Sequence, residues 1–312
     1  MTKLVQTLLD GFAVGGLYAL IALGYTMVYG ILKFINFAHS DVFVLGAWIS
    51  WVVAVRLLRL DALPPEAGIP WWAAPAVILV AMAFCGLAGF IIERFAYRPL
   101  RGAPRLNVLI TAIGVSLLLE NTGQLRVFFG PYPKAVPVLL PDQTIAQLAG
   151  VKLPAVDAIV IGLTIVLMLA LEWLIYRTKL GRAMRAVSFN TQTAALMGVN
   201  VDRVISFTFV LGSALAAAAG FLFVMKYPAG LKQPADSSWI MLGLKAFVAA
   251  VVGGIGNVRG AMLGGILIGL LEFFGVAYLD PLYRDVYVFS LLILVLLFRP
   301  AGLLGRAEAE KV

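Results

Sequence analysis

The sequence is poor in charged residues and contains only one cysteine and one histidine. Charged residues make up 13% of its 312 positions and hydrophobic residues 62%, whereas soluble domains are about a quarter charged and about half apolar. Cys85 has no second cysteine for an internal disulfide, and His39 has no Cys or His partner at ligand spacing, so no metal site is expected. The apolar excess predicts a membrane protein.

Signatures of ATP binding and of hydrolytic chemistry are also absent. The Walker A sequence G-x-x-x-x-G-K-[ST] does not occur, and no lysine follows a glycine anywhere in the chain. Neither G-x-S-x-G, H-E-x-x-H nor C-x-x-C is found. The sequence therefore predicts no enzyme and no cofactor bound by this chain. Any ATP, with its magnesium ion, would be held by a separate motor subunit.

Long continuous apolar runs are present instead, and they differ from the alternating pattern of barrel strands. The uncharged run at residues 11–32 is long enough to cross about 30 Å of hydrocarbon. Counting each run once predicts an all-α polytopic membrane protein of eight or nine transmembrane helices, built as one domain over residues 1–312. Nine crossings would place the N-terminus outside and the C-terminus inside. The charged tail at 305–312 is expected to be flexible.

The most basic loop, residues 177–203, lies in the middle of the chain. Its charged residues are Arg177, Lys179, Arg182, Arg185 and Arg203 with the single acid Asp202. Lys and Arg concentrate in cytoplasmic loops, so the net charge of +8 indicates membrane orientation and not nucleic acid. Asn190 or Thr191 can cap a short helix that Gly198 can end. Such a helix predicts a docking element for a cytoplasmic motor. A basic anchor on anionic membrane lipid is the alternative.

One segment in each half of the chain, 29–46 and 252–265, interrupts the apolar pattern with polar residues or glycines. Paired interrupted helices indicate the translocation path of a transporter, because unwound backbone offers N–H and C=O groups to a polar solute. The candidate path residues are Asn36, Phe37, Ala38, His39, Gly46, Gly253, Gly254, Gly256 and Asn257. The alternatives are an interfacial cap for the first segment and tight helix packing for both. Either segment could also be re-entrant, which would change the span count.

Three long blocks carry a family resemblance. They are INFAHSDVFVLGAW, GRAMRAVSFNTQTAALMGVNVDRVISFTFVLGSALAAAAG and AFVAAVVGGIGNVRGAMLGGILIG. In sequence, order and spacing they resemble the branched-chain amino acid ABC transporter permeases of the LivH type, and the likeness covers nearly the whole chain. The resemblance implies a multi-pass permease of the bacterial inner membrane. Such a permease translocates leucine, isoleucine and valine by ATP-driven alternating access.

The resemblance also implies partners and a coupling site. The partners are a LivM-like second permease, two cytoplasmic ATPases and a periplasmic solute-binding protein. The ATPase-contacting loop maps to Gly181, Arg182, Arg185, Thr191, Ala194, Ala195, Gly198, Asp202 and Arg203. No Glu precedes the alanines and no Leu-Pro follows them, unlike the general importer pattern. Ser40 and Asp41 stand where the family commonly has Gly and Glu. Arg182 and Arg185 are expected to pair with acidic groups of the ATPase.

Several alternatives remain open at this point. The same class of importer could carry urea, short amides or other amino acids. A passive channel or facilitator for a small polar solute would need no partners. An ion- or proton-coupled carrier would use Glu120, Glu172 or Glu272, for which a structural hydrogen bond is the favoured role. The structured basic loop favours the ATP-driven importer over the last two. The pore could lie inside this subunit or at its junction with the second permease.

Overall fold

Helices dominate the computed structural model, which describes residues 2–62, 68–141, 143–148 and 150–305. The α-helices within these residues are α1 Thr2–Leu32, α2 His39–Trp51, α3 Ala73–Ile92, α4 Arg105–Gly123, α5 Ala155–Arg177, α6 Lys179–Phe189, α7 Thr191–Leu196, α8 Val201–Lys226, α9 Ser237–Gly253, α10 Val258–Tyr278 and α11 Arg284–Phe298. Wider π-helical turns extend α2 over Val52–Leu57 and α3 over Glu93–Tyr97. An antiparallel hairpin that the sequence did not predict joins β1 Thr144–Leu148 to β2 Val151–Pro154. The tail that was predicted to be flexible lies outside the described residues from position 306 onward.

Among the described residues, eight helical segments are long and apolar enough to cross a membrane. They correspond to α1, α2, α3, α4, α5, α8 and α10, and to α11 with the short turn that precedes it. The predicted all-α fold is thereby confirmed. α9 is also apolar but has only 17 residues, so it rises about 25 Å. That length comes close to the hydrocarbon thickness.

The helix ends meet on two opposite sides of the molecule. The backbone N–H of Lys152 donates to the side chain of Gln6 at 3.0 Å, which places the β-hairpin beside the start of α1. The hydroxyl of Ser188 donates to the carbonyl of Gly30 at 2.6 Å, which places α6 beside the end of α1. Because basic loops face the cytoplasm, α1 starts outside and ends inside. Among the described helices, alternation of direction along the chain then makes α9 a ninth crossing.

α1 lies at the centre of the bundle and is buried nearly all round, with α5, α8, α9 and α10 packed against it. Small residues bring α1 and α10 into close contact. A Cβ atom on Gly269 would overlap the backbone of Gly15, and one on Gly265 would overlap the backbone of Ala19. Each helix presents its two small residues four positions apart, hence on one side. This is the small-residue packing that membrane helices use where no hydrophobic force drives association.

Gly269→Leu is therefore expected to push α1 and α10 apart and to lower stability by about 1–3 kcal/mol, the usual range for an overfilled site. Thermal unfolding of the detergent-solubilised protein measures this loss. Gly114→Leu on α4 makes the same substitution where an added Cβ would meet nothing, and it serves as the control. Equal midpoints for the two variants would contradict the packing described here.

The same kind of contact holds α8 between α2 and α3. A Cβ atom on Gly46 would overlap Ala217, and one on Gly89 would overlap the side chain of Ser213. The run of small residues from Ala216 to Gly220 is buried. α4 and α11, in contrast, are largely exposed, so they lie at the edge of the bundle.

Candidate functional site

The basic loop folds into a compact element on the cytoplasmic side. We refer to residues 178–203, which contain α6 and α7, as the cytoplasmic platform. Three side chains accept hydrogen bonds from the free backbone N–H groups that start its helices: Thr178 from Gly181 at 3.0 Å, Asn190 from Thr193 at 2.9 Å and Asn200 from Arg203 at 3.0 Å. Each is an N-cap for the helix that follows. The predicted cap at Asn190 is confirmed.

The short helix α7 occupies the predicted position. It spans Thr191–Leu196, and Gly198 follows with a φ of 82°. This left-handed conformation suits glycine and ends the helix. Ala194 is buried against the rest of the platform, whereas Thr191 and Ala195 are exposed. α7 thus presents one side outward.

α6 was not predicted and is the larger part of the platform. Gly181, Met184 and Val187 are buried on one side of the helix. A Cβ atom on Gly181 would overlap the carbonyl groups at the end of α5, so this glycine permits the sharp turn from α5 into α6. Since Ser188 also bonds to the end of α1, the platform is tied to two transmembrane helices.

Large apolar side chains project from the platform into solvent. Phe189 is 94% exposed, Leu196 87% and Met197 80%. Arg182 is exposed nearby, while Arg185 bonds to the carbonyl of Ile175. Exposed apolar patches bordered by polar residues are typical of protein interaction sites. The same combination of apolar and basic side chains is available to a protein partner or to a membrane surface.

Asp202 and Arg203 lie at the start of α8, and Asp202 is engaged within the chain. It accepts hydrogen bonds from Arg98 and, at 2.5 Å, from Arg101. Arg101 also pairs with Glu93, which is completely buried. Ser206 donates to the second oxygen of Glu93 at 2.5 Å. This ion network ties the cytoplasmic end of α3 to the beginning of α8.

The first interrupted segment leaves the cytoplasmic end of α1 as non-helical backbone over residues 33–38. It re-enters the bundle until α2 begins at His39, whose imidazole fills the space that a Cβ on Gly24 would occupy. The predicted break in the helical pattern is therefore present. The hydroxyl of Tyr97 donates to the amide oxygen of Asn36 at 2.5 Å.

The candidate path residues of this segment are packed inside the protein. Asn36, Ala38 and His39 are buried, and the ring of Phe37 lies 6.4 Å from that of Phe247. Gly46 serves helix contact with α8. In the described part of the chain no cluster of three or more His, Cys, Asp or Glu residues could hold a metal ion.

The second interrupted segment is a tight turn between two antiparallel helices. Gly254 and Gly256 have φ values of 108° and 93°, and a Cβ on Gly253 would overlap the backbone of Gly260. Asn257 caps α10 through its side-chain oxygen and donates its amide to the carbonyl of Leu304 at 2.7 Å. The glycines thus join α9 to α10 at the cytoplasmic side and do not interrupt a single span.

A cytoplasmic cavity of about 420 Å³ joins this turn to the platform. Gly30, Arg185, Ser188, Gly256 and Asn257 are among its lining residues. The end of α1, the platform and the glycine turn therefore share one water-accessible space.

A second cavity, of about 510 Å³, opens on the outer side between α1, α9 and the start of α11. Lys245, Arg284 and Asp285 line it beside Tyr18, and Glu272 lies fully buried behind them. Sequence reasoning missed this cavity, because its charged residues come from separate helices. A signal was nevertheless present, since Lys245 stands inside an apolar helix, where a charge indicates a functional or paired position.

The N-cap of α9, Asp236, lies at the mouth of the outer cavity and orders the backbone there. Asp236 accepts hydrogen bonds from the N–H and the hydroxyl of Ser238 at 2.9 and 2.6 Å. These bonds hold the pKa of Asp236 below its usual range, because they stabilise the charged carboxylate. The indole N–H of Trp239 donates to the carbonyl of Gln233 at 3.0 Å, which fixes the ring at the cavity wall.

Comparison with known proteins identifies the relatives of this chain. Residues 7–297 match the family described as branched-chain amino acid transport system, permease component. The permease protein BraD of the high-affinity branched-chain amino acid transport system of Pseudomonas aeruginosa is 45% identical over 99% of this chain and 98% of its own length. LivH, its counterpart in Escherichia coli K12, is 42% identical over 99% of this chain and 97% of its own length.

A more distant similarity covers part of the chain. The autoinducer 2 import system permease LsrC of Yersinia pestis is 32% identical over 44% of this chain and 40% of its own length. No solved structure matches. The family match spans most of the chain, and the helical fold is that of a multi-pass membrane permease, not of an ATPase. The chain belongs to the family of permease components of branched-chain amino acid transport systems.

Proposed function

We propose that this chain is one of two permease subunits of an ATP-driven importer that moves leucine, isoleucine and valine across the bacterial inner membrane. The observation that carries the proposal is the identity of 42–45%, over nearly full length, to LivH and BraD, whose names state high-affinity branched-chain amino acid transport. The similarity to an autoinducer 2 permease covers only 44% of this chain, which is too little to favour autoinducer 2 as the solute.

The partners would be a LivM-like permease, two cytoplasmic ATPases that hold ATP and magnesium, and a periplasmic binding protein that delivers the solute. The cytoplasmic platform supports ATPase docking, because its exposed surface combines Phe189, Leu196 and Met197 with the basic residue Arg182. Apolar side chains on a short helix can anchor it in a hydrophobic groove of a partner. Membrane lipid surrounds the outer helices, and no nucleic acid is involved.

The mechanism would be alternating access, with α7 as the lever on which the motor acts. A push on α7 reaches α1 through the bond of Ser188 to Gly30 and reaches α8 through its cap at Asn200. Both helices contact the first interrupted segment, where the Gly24 and Gly212 sides of α1 and α8 meet His39. Since Asn36 and His39 are buried here, they would have to separate from their neighbours for a path to open.

Substrate identity is tested by uptake of labelled leucine in cells that lack this chain and in cells in which it is restored. We expect uptake only when both this chain and its partner ATPase are present, and we expect excess unlabelled valine to block it. Excess urea is the matched competitor that should have no effect. Restored cells that take up urea or a short amide but no leucine would overturn the branched-chain assignment.

A further inference from the structure

The outer cavity has the depth and size of a binding site for a small solute. Gly230, Lys232 and Ser238 form its rim, and Lys245 lies about 10 Å beyond Ser238 along the axis of α9, at a rise of about 1.5 Å per residue. Its volume of about 510 Å³ falls in the range of about 300–1,000 Å³ that small-molecule sites occupy. The cavity therefore reaches from the outer surface well into the membrane-spanning part.

Two acids and two bases meet at the bottom of this cavity. The Oε1 atom of Glu272 accepts hydrogen bonds from Lys245 at 2.9 Å and from Arg284, and its Oε2 atom accepts one from Tyr18 at 2.8 Å. Lys245 also pairs with Asp285 at 2.6 Å. The four charges sum to zero, which satisfies the requirement that buried charges be paired.

The inner and outer members of this cluster differ in access. The side chains of Glu272 and Lys245 are 0% and 8% exposed, whereas those of Arg284 and Asp285 are 45% and 53% exposed. Arg284 donates to Glu272 through its Nε. The N–H groups on its two Nη atoms therefore remain as donors for another acceptor. One cation and one anion, adjacent in sequence, thus stand at the cavity surface beside a fixed inner pair.

We infer that this cavity receives a free amino acid in its zwitterionic form, with the carboxylate at Arg284 and the ammonium at Asp285, an inference that rests on the proposed importer function. A zwitterion adds one charge of each sign and leaves the cluster neutral. A simple anion or cation would add an unbalanced charge beside the buried Glu272–Lys245 pair, which is unfavourable. The cluster thereby favours the α-amino acid backbone over an amino acid amide, which is a cation, or a fatty acid, which is an anion.

The remaining wall of the cavity suits an aliphatic side chain. Leu17, Trp239, Met241 and Leu242 line it. Burial of apolar surface contributes roughly 25 cal/mol per Å², so leucine gains more contact energy here than glycine does. The two halves of the site thus fit the two halves of a branched-chain amino acid.

Protection of an introduced cysteine tests whether the cavity binds leucine directly. The probe is Met241→Cys in a Cys85→Ala background, and the control is Leu282→Cys, which is exposed on the outer side and does not line the cavity. The complete transporter in membrane vesicles, without the binding protein, is treated with a membrane-impermeant methanethiosulfonate. Leucine at about ten times its dissociation constant should slow modification of the probe about tenfold and leave the control unchanged.

Chemical analogues and charge variants then define the mode of binding. Leucinamide lacks the carboxylate and 4-methylpentanoate lacks the ammonium, so each should protect far less than leucine. Arg284→Gln should raise the leucine concentration for half protection by about tenfold or more, because it removes a charge-assisted hydrogen bond. Asp280→Asn changes an acid of the outer loop that caps a short turn and should leave protection unchanged.

Uptake by the same vesicles, measured with binding protein and ATP, separates the two proposals. ATP-dependent leucine uptake without any protection of the probe would overturn the cavity assignment and leave the importer standing. Protection without ATP-dependent uptake would support the cavity as an amino acid site and overturn the proposed coupling. Equal protection by leucine, leucinamide and 4-methylpentanoate would contradict recognition of the zwitterion.

Discussion

The double variant Leu196→Asp with Met197→Asp is expected to lose its ATPase partner and its uptake activity while the permease itself remains folded. The side chains of Leu196 and Met197 are 87% and 80% exposed, so their replacement removes no internal packing. In a docked complex they would be buried, and each carboxylate would then need desolvation. Loss of one anchor of this kind lowers binding by roughly 2 kcal/mol, or about thirtyfold, and two such losses should lower it by several hundredfold.

Co-purification of the ATPase with the tagged permease measures this effect directly. Leu282→Asp, an equally exposed leucine on the outer side, is the matched control and should retain the ATPase. Thermal unfolding of the isolated permease should be the same for both variants. An ATPase that still co-purifies in normal yield with the double variant would exclude the platform as its docking surface.

Arg101→Ala is expected to destabilise the protein more than any exposed ion-pair variant. Arg101 is the cation that pairs with the completely buried Glu93, and it also binds Asp202. Removing one partner leaves an uncompensated buried charge, which costs about 3–5 kcal/mol. The end of α3 would then separate from the start of α8, so the platform would lose part of its support. A fall in the midpoint of thermal unfolding reports this loss.

Two further variants test whether the unpaired charge of Glu93 is the cause of the stability loss in Arg101→Ala. Arg101→Ala combined with Glu93→Gln removes both charges and should recover much of the lost stability. Arg259→Ala breaks the more exposed pair with Glu172 and should cost no more than about 1 kcal/mol. If Arg101→Ala unfolds at the same temperature as Arg259→Ala, the network has no structural importance.

Features encoded within one short stretch were read correctly from the sequence. The cap at Asn190, the helix after it and the turn at Gly198 depend on neighbours within a few residues, and the structure places all three as expected. α6 was missed because its three basic residues hid a narrow apolar side. That side, formed by Gly181, Met184 and Val187, has helical spacing and could have been recognised.

Features that depend on distant parts of the chain were not readable. Glu272 meets Lys245, Arg284 and Tyr18 from three other helices, and nothing in one sequence pairs residues so far apart. The role of the glycines near Gly254 was also ambiguous, because glycine permits both a broken span and a tight turn. Their assignment as a cytoplasmic turn came from the contact of Asn257 with Leu304.

The candidate translocation residues remain a prediction. Asn36 and His39 form contacts inside the bundle, and a path through them requires a second conformation. The outer and cytoplasmic cavities lie on the two sides of this packed region. An alternating-access mechanism would connect each cavity to it in turn.

Concentrative uptake in proteoliposomes tests the central claim most directly. The complete transporter, with external binding protein and labelled leucine, is loaded with internal ATP and magnesium or with ADP and magnesium. We expect leucine to accumulate above its external concentration only with ATP, and we expect accumulation to persist when an ionophore removes the membrane potential. Equal entry with ADP would instead establish a facilitator, and collapse with the ionophore would establish an ion-coupled carrier.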